Sequence, residues 1–335
     1  MDRYALTPLV RWFLKEKRAL PWRENPTPYG VWVSETMLQQ TQVKTVLPYF
    51  ERWMTIFPTL KDLAQAEEQE VIKLWEGLGY YSRARNLHQG AKFCVEHFEG
   101  EFPRSEADLK RIKGVGPYTL GAILSFAYHK KKAAVDGNVQ RVMSRLIGFE
   151  EEIHTSLAKK TLEEATEQAL PDETPWVAME ALIELGALVC KKAPLCHRCP
   201  MSSKCQAFIK GKTDKIPLKK KAPKVTKLLR HALILTSEED VLLQKGKKGQ
   251  VMEGLWEFPY FEENLPIEAF GLNLSEAKFL CKVSHTFTRF SVDLRAWELK
   301  VKKVPKVKGF HTVNKTKVKD LAFSSGMRKL VKKMD

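Results

Sequence analysis

The sequence predicts a mainly α-helical domain over residues 1–210, followed by a smaller α+β domain over residues 228–335. Three observations carry that expectation. Apolar residues in the first part recur at helical spacing, as in Leu120, Ile123, Leu124 and Ala127 at i, i+3, i+4 and i+7. Residues 211–227 turn to Lys, Pro and Thr with few apolar side chains, Lys219-Lys220-Lys221 among them, and read as a linker. Beyond it, residues 232–236 and 241–244 are short β-prone runs separated by an acidic turn, and residues 291–300 alternate apolar with polar.

Elements in the first part follow from their end signals. Residues 29–39 and 42–57 read as two helices with Thr41 as the cap between them. Ser105 and Asp108 have the spacing of a capping box on a short helix, after which Gly114-Val115-Gly116-Pro117 makes a tight turn. Pro117 suits the first turn of the next helix, where its missing N–H costs nothing. Asp136, before Gly137 and another apolar helix, is placed as an N-cap.

The chain has 335 residues, enough for two or three domains at roughly 100 to 200 residues each. With 44% hydrophobic and 29% charged residues, wholly disordered and collagen-like classes are excluded. The formal charge of +16 divides as +3 over residues 1–210 and +13 over residues 211–335. The excess suits a polyanionic partner, nucleic acid or an anionic membrane surface, and it resides in the last third. No apolar run reaches the roughly 18 residues of a membrane helix, and Met1-Asp2-Arg3-Tyr4 lacks a signal-peptide stretch, so a cytoplasmic location is expected.

Four of six cysteines, Cys190, Cys196, Cys199 and Cys205, fall within one short segment. In a reducing compartment that clustering points to metal, since four soft thiolates suit either a tetrahedral zinc or an iron-sulfur cube. Zinc ribbons usually carry two C-x-x-C knuckles and this segment carries one. Lys191, Lys192, Arg198 and Lys204 surround it, as a phosphate contact or a solvated basic face. Glu35 shares a helical face with Val31, Trp32 and Leu38, where desolvation would raise its pKa, as a general acid at neutral pH requires. An ionised Asp136 beside it would divide acid and electrostatic roles.

Leu109, Ile112, Gly114, Val115, Gly116, Thr119 and Ala122 together resemble the helix-hairpin-helix of the DNA glycosylase superfamily, here spanning residues 105–128. The cysteine loop, residues 190–205, is similar to that of its iron-sulfur branch, with a first gap of five residues where six are usual. ALPWR at 19–23, SETMLQQTQV at 34–43 and LGYYSRARNLH at 78–88 extend the likeness to the adenine DNA glycosylase (MutY) family over the first 210 residues. Residues 228–261 resemble its Nudix-like C-terminal domain, without the Arg-Glu and Glu-Glu pattern of a Nudix metal helix.

The resemblance implies a mainly α helix-hairpin-helix glycosylase domain with an iron-sulfur cluster loop, and a smaller Nudix-like lesion-recognition domain. It implies that Glu35 protonates the departing adenine, Asp136 stabilises or traps the sugar cation, and Asn138 orients Asp136. Tyr118 stands where bifunctional relatives carry a Schiff-base lysine, so base excision without strand cleavage follows. Trp22, Arg23 and Glu180 would line the adenine pocket. Gln40 and Tyr80 would wedge into the duplex, Gly114 and Gly116 would grip its backbone, and Phe287, Thr288 and Arg289 would read the opposite base. Arg289 occupies a position where histidine is usual. The implied cofactor is a 4Fe-4S cluster on the four cysteines. The implied partner is double-stranded DNA with A:8-oxoguanine or A:G mispairs, bound by a monomer. Two alternatives stay open: an endonuclease III-like glycosylase/lyase on oxidised pyrimidines, opposed by Tyr118 and the second domain, and a non-catalytic damage binder, opposed by Glu35 and Asp136.

Overall fold

The computed structural model describes residues 6–218, 225–287 and 289–334. Met1-Asp2-Arg3-Tyr4, the linker's Lys219-Lys220-Lys221 and Thr288 lie outside the described residues. The chain divides into Met1–Gln65 with Asn86–Lys221, and Ala66–Arg85 with Ala222–Asp335. Residues 66–85 thus group with the C-terminal unit, although they lie within the stretch expected to be one helical domain.

The first unit is helical. At its centre the helix Pro28–Leu38 has every residue from Tyr29 to Met37 buried, as its nearly continuous apolar sequence requires. Thr27 caps it by accepting from the Gly30 N–H at 3.0 Å, and Pro28 opens it. The next helix, Val43–Ile56, is capped at Gln42, and Thr41 instead donates its hydroxyl to the Gln39 carbonyl at 3.3 Å. Thr41 therefore is not the cap: the chain turns at Gln40, with φ at +57°, and enters the helix from Gln42, one residue later than the side-chain types suggest.

Ser105 caps the short helix Glu106–Leu109, accepting from the Asp108 N–H at 3.0 Å and donating to its carboxylate at 2.6 Å. The turn follows, with Gly114 at φ +90°, a conformation that residues with a Cβ rarely adopt. Pro117–Ala122 then continues into a π-helical turn, Ile123–Ala127, so the apolar stripe buries Leu120, Ile123 and Leu124 but leaves Ala127 half-buried. A Cβ on Gly121 would lie 2.1 Å from the Ala133 carbonyl oxygen. Only glycine lets this helix approach the strand of chain leading into Asp136. Gly137–Ile147 packs in turn on Pro175–Leu188, where a Cβ on Gly186 would meet Asn138 Cβ at 2.6 Å.

The second unit is built on strands β1 (Thr226–Thr236), β2 (Asp240–Lys245), β3 (Trp256–Glu257), β4 (Tyr260–Phe261), β5 (Glu268–Ala269), β6 (Leu272–Asn273), β7 (Lys278–Phe287), β8 (Phe290–Lys300) and β9 (His311–Asn314). Among the described residues the main sheet runs β3-β2-β1-β8-β7, with β4 added to β1 and β9 to β2. β1 and β8 pair in parallel from Thr226 opposite Phe290 to Thr236 opposite Lys300, and β7 and β8 form an antiparallel hairpin. Alternation along β1 sends Ala232 and Ile234 to one face, under the helix Ser325–Val331, and Leu233 and Leu235 to the other. The β-prone runs at 232–236, 241–244 and 291–300 lie within β1, β2 and β8. No helix among the described residues is long and apolar enough to cross a membrane.

Candidate active site

Glu35 lies one turn before the end of the central helix and is only 7% exposed. Tyr118, on the first turn after the glycines, donates its hydroxyl to Glu35 Oε2 at 2.5 Å. Burial raises the Glu35 pKa to about 7, against the stabilisation that Tyr118 and the positive charge of Arg23 give its ionised form. Burial, and then the neighbouring Glu35 carboxyl, push the Tyr118 phenol well above its ordinary range, so it stays a neutral donor.

Asp136 caps Gly137–Ile147, its Oδ1 accepting from the Asn138 N–H at 2.9 Å and the Val139 N–H at 2.7 Å. Asn138 Nδ2 donates to its other oxygen at 2.7 Å. Burial raises its pKa, and these donors oppose the rise. Asn138 is oriented from behind: Arg141 Nη2 donates to Asn138 Oδ1 at 2.9 Å and to the Gly186 carbonyl at 2.8 Å.

One cavity of about 920 Å³, lined entirely by the first unit, brings together Trp22, Arg23, Glu35, Gln40, Tyr118, Asp136, Asn138 and Glu180. Glu180 pairs with Arg23 at 3.4 Å, and Trp22 packs edge-on against Phe50. Sequence reasoning missed Glu184 and Arg18. Glu184 is fully buried, and burial alone would raise its pKa, but hydrogen bonds from Arg18 at 2.6 and 2.8 Å and from Arg23 at 2.8 Å hold it down to about 2. It therefore fixes Arg23 at the cavity wall. Its signal was present: two glutamates four residues apart in the otherwise apolar WVAMEALIELGA.

Gly114 and Gly116 form the turn ahead of Tyr118 and do not line the cavity. Gly116 is exposed, and a Cβ there would meet nothing of the protein within 4 Å. In the second unit Phe287 and Arg289 occupy the tip of the β7–β8 hairpin, with Arg289 Cζ 5.3 Å from the Phe290 ring centroid. The third position assigned to that tip, Thr288, lies outside the described residues. Tyr80, also in the second unit, is 46% exposed at φ +47°.

Cys190, Cys196, Cys199 and Cys205 line a second, much smaller cavity with Arg145. Arg145 is buried and donates to the Lys191 carbonyl at 2.6 Å, the Lys192 carbonyl at 3.1 Å and Cys190 Sγ at 3.4 Å. Cys205 Sγ in turn donates to the Arg145 carbonyl at 3.3 Å. Among the described residues no three Cys, His, Asp or Glu are arranged to hold a single metal ion. The donor set, four cysteines around one cavity beside a guanidinium that would offset the charge of their thiolates, fits a multi-iron cluster in which each sulfur would take its own iron.

Residues 33–168 match the HhH-GPD superfamily of base excision DNA repair proteins, and residues 230–333 match the NUDIX domain. The adenine DNA glycosylase of Buchnera aphidicola subsp. Baizongia pistaciae is 36% identical over 247 residues, covering 73% of this chain and 70% of that protein. The adenine DNA glycosylase of Rattus norvegicus is 44% identical over 209 residues, covering 59% of this chain and only 40% of the rat protein. A trapped endonuclease III–DNA covalent intermediate superposes with a TM-score of 0.54 at 25% identity, over 62% of this chain and 96% of that one.

Proposed function

The chain belongs to the adenine DNA glycosylase family, and from that premise we propose that it excises adenine paired with 8-oxoguanine or guanine in double-stranded DNA. The observation that carries the reading is the meeting of Glu35, Tyr118 and Asp136 around one cavity, an acid poised near neutral pH beside a second carboxylate.

Glu35, protonated, gives its proton to the adenine ring as the bond from the base to the sugar breaks. The base leaves with the bonding electrons, and the sugar is left as an oxocarbenium-like cation. Asp136, held by two backbone N–H groups and by Asn138, faces that cation as a carboxylate and stabilises or captures it until water adds. Trp22, Arg23 and Glu180 enclose the extruded base. Gln40 and Tyr80 wedge into the duplex, the Gly114–Gly116 turn contacts its phosphates, and Phe287, Thr288 and Arg289 read the opposite base. Arg289, donor-only, bonds an oxygen of that base or a nearby phosphate. Cys190, Cys196, Cys199 and Cys205 hold a 4Fe-4S cluster in this reading, with a structural part. Purified anaerobically, the protein should be brown with about four irons per chain; one zinc and no iron would contradict the assignment.

Tyr118 makes the excision monofunctional, since a phenol forms no imine with the sugar. Wild-type protein on an A:8-oxoguanine duplex should release adenine, leave the strand unbroken until alkali is added, and give no borohydride-trapped adduct. Tyr118→Lys should gain trapping. Efficient trapping by the wild type would favour the lyase alternative.

A further inference from the structure

Residues 76–81 and 319–328 interlock within the second unit around one residue, Phe323. Glu76 accepts from Arg328 Nε at 2.5 Å and Nη2 at 2.9 Å, and from the Phe323 N–H at 3.2 Å. Tyr81, 7% exposed, donates its hydroxyl to the Phe323 carbonyl at 3.1 Å and accepts from the Gly77 N–H at 3.3 Å. Both sides of Phe323 are thus held by the two ends of one turn, and the Phe323 ring is fully buried in the C-terminal core. Lys73 adds bonds to the Lys319 and Leu321 carbonyls at 2.6 and 3.0 Å.

Between those ends the chain takes left-handed backbone at Gly77, Gly79 and Tyr80, with φ of +106°, +72° and +47°. For tyrosine such a conformation is costly and persists only where neighbours enforce it. Trp75 Nε1 donates to the Gly79 carbonyl, and Arg83 Nη2 to the Leu78 and Gly79 carbonyls, at 3.0 to 3.1 Å. The product of this scaffolding is one half-exposed ring, Tyr80, over which Arg83 lies with its Cζ 5.7 Å from the centroid.

We propose that Arg328 and Tyr81 are positioning residues for base extrusion: by clasping the 76–81 turn onto Phe323, the C-terminal unit holds Tyr80 in its strained, outward pose. The inference rests on the reading of Tyr80 as a wedge. It gives the C-terminal unit a part in opening the duplex at the adenine, separate from reading the opposite base.

A double-mutant cycle tests it. Single-turnover excision and the fluorescence rise of a 2-aminopurine placed beside the target adenine are measured for Tyr80→Ala, Arg328→Met and the pair. Each single change should slow excision by on the order of ten-fold and suppress the rise, since both loosen the same extrusion step. Because Arg328 acts through Tyr80, Arg328→Met should add less than about two-fold in the Tyr80→Ala background. Arg328→Lys should restore part of the rate, and Tyr81→Phe, which removes one hydroxyl and little volume, should shift both readouts the same way by less. Multiplying effects, or a wild-type fluorescence rise in both Arg328→Met and Tyr81→Phe, would overturn the clasp. A wild-type rate and rise in Tyr80→Ala would instead remove the wedge on which it depends.

Discussion

Glu35→Gln is expected to lower the single-turnover rate of adenine release by about 10²- to 10⁴-fold, the range that a positioned general acid supplies. The amide keeps the shape and still accepts from Tyr118, but it has no proton of suitable acidity to give. Duplex affinity should change little, because the loss falls on the transition state. The wild-type rate should fall as pH rises through about 7, where buried Glu35 ionises. Stability follows the same titration. The folded-state pKa lies above the unfolded value of 4.5, so the contribution is full below pH 4.5 and is lost as pH rises through about 7. At pH 8 the charged form in that site costs about 3 kcal/mol, and Gln does not incur it. The variant should therefore melt above the wild type at pH 8, with the gain shrinking toward pH 5. A wild-type rate in Glu35→Gln, or no relative shift in melting between the two pH values, would contradict the assignment.

The second large effect is at Asp136. Asp136→Asn should cost about 10²- to 10³-fold in rate, the loss of a group that stabilises developing charge. The cap itself should survive, since Asn caps nearly as well as Asp. The bond to Asn138 should not. Arg141 donates to Asn138 Oδ1, which turns the Asn138 amide N–H toward Asp136; an amide nitrogen at 136 would face a donor, and flipping Asn138 would set its N–H against Arg141. A loss of about 1 kcal/mol in denaturant unfolding is expected from that broken bond. Asp136→Ala should unfold more easily still by about 1 kcal/mol, having lost the cap as well. Equal stability of the Asn and Ala variants would show that the side-chain oxygen at position 136 does not cap the helix start.

Local signals in the sequence carried the hairpin and Glu35. Ser105 at its cap, Pro117 at a first turn and Glu35 among apolar neighbours each act over one or two turns, and each is found where its chemistry places it. Thr41 misled because a good capping side chain is of no use when the helix starts one residue later, from Gln42. Glu184 stood out as a second glutamate in an apolar helix, but its partners, like those of Arg18, Arg141 and Arg145, were not legible. Their partners lie between 3 and 166 positions away, and spacing within one helix says nothing about which carbonyl or carboxylate a long side chain will reach. The grouping of residues 66–85 with the C-terminal unit was hidden for the same reason. Glu76 and Arg328 are 252 positions apart, and nothing local to GLGYYSRA announces Phe323.

The most direct measurement is single-turnover base release by the wild-type protein, at matched salt, on three otherwise identical duplexes carrying A:8-oxoguanine, A:G and thymine glycol paired with adenine. Free adenine is expected from the first two, with thymine glycol untouched. Release of the oxidised pyrimidine in preference to adenine, or tight binding of the mispaired duplexes with no base released from any, would contradict adenine excision by Glu35 and Asp136.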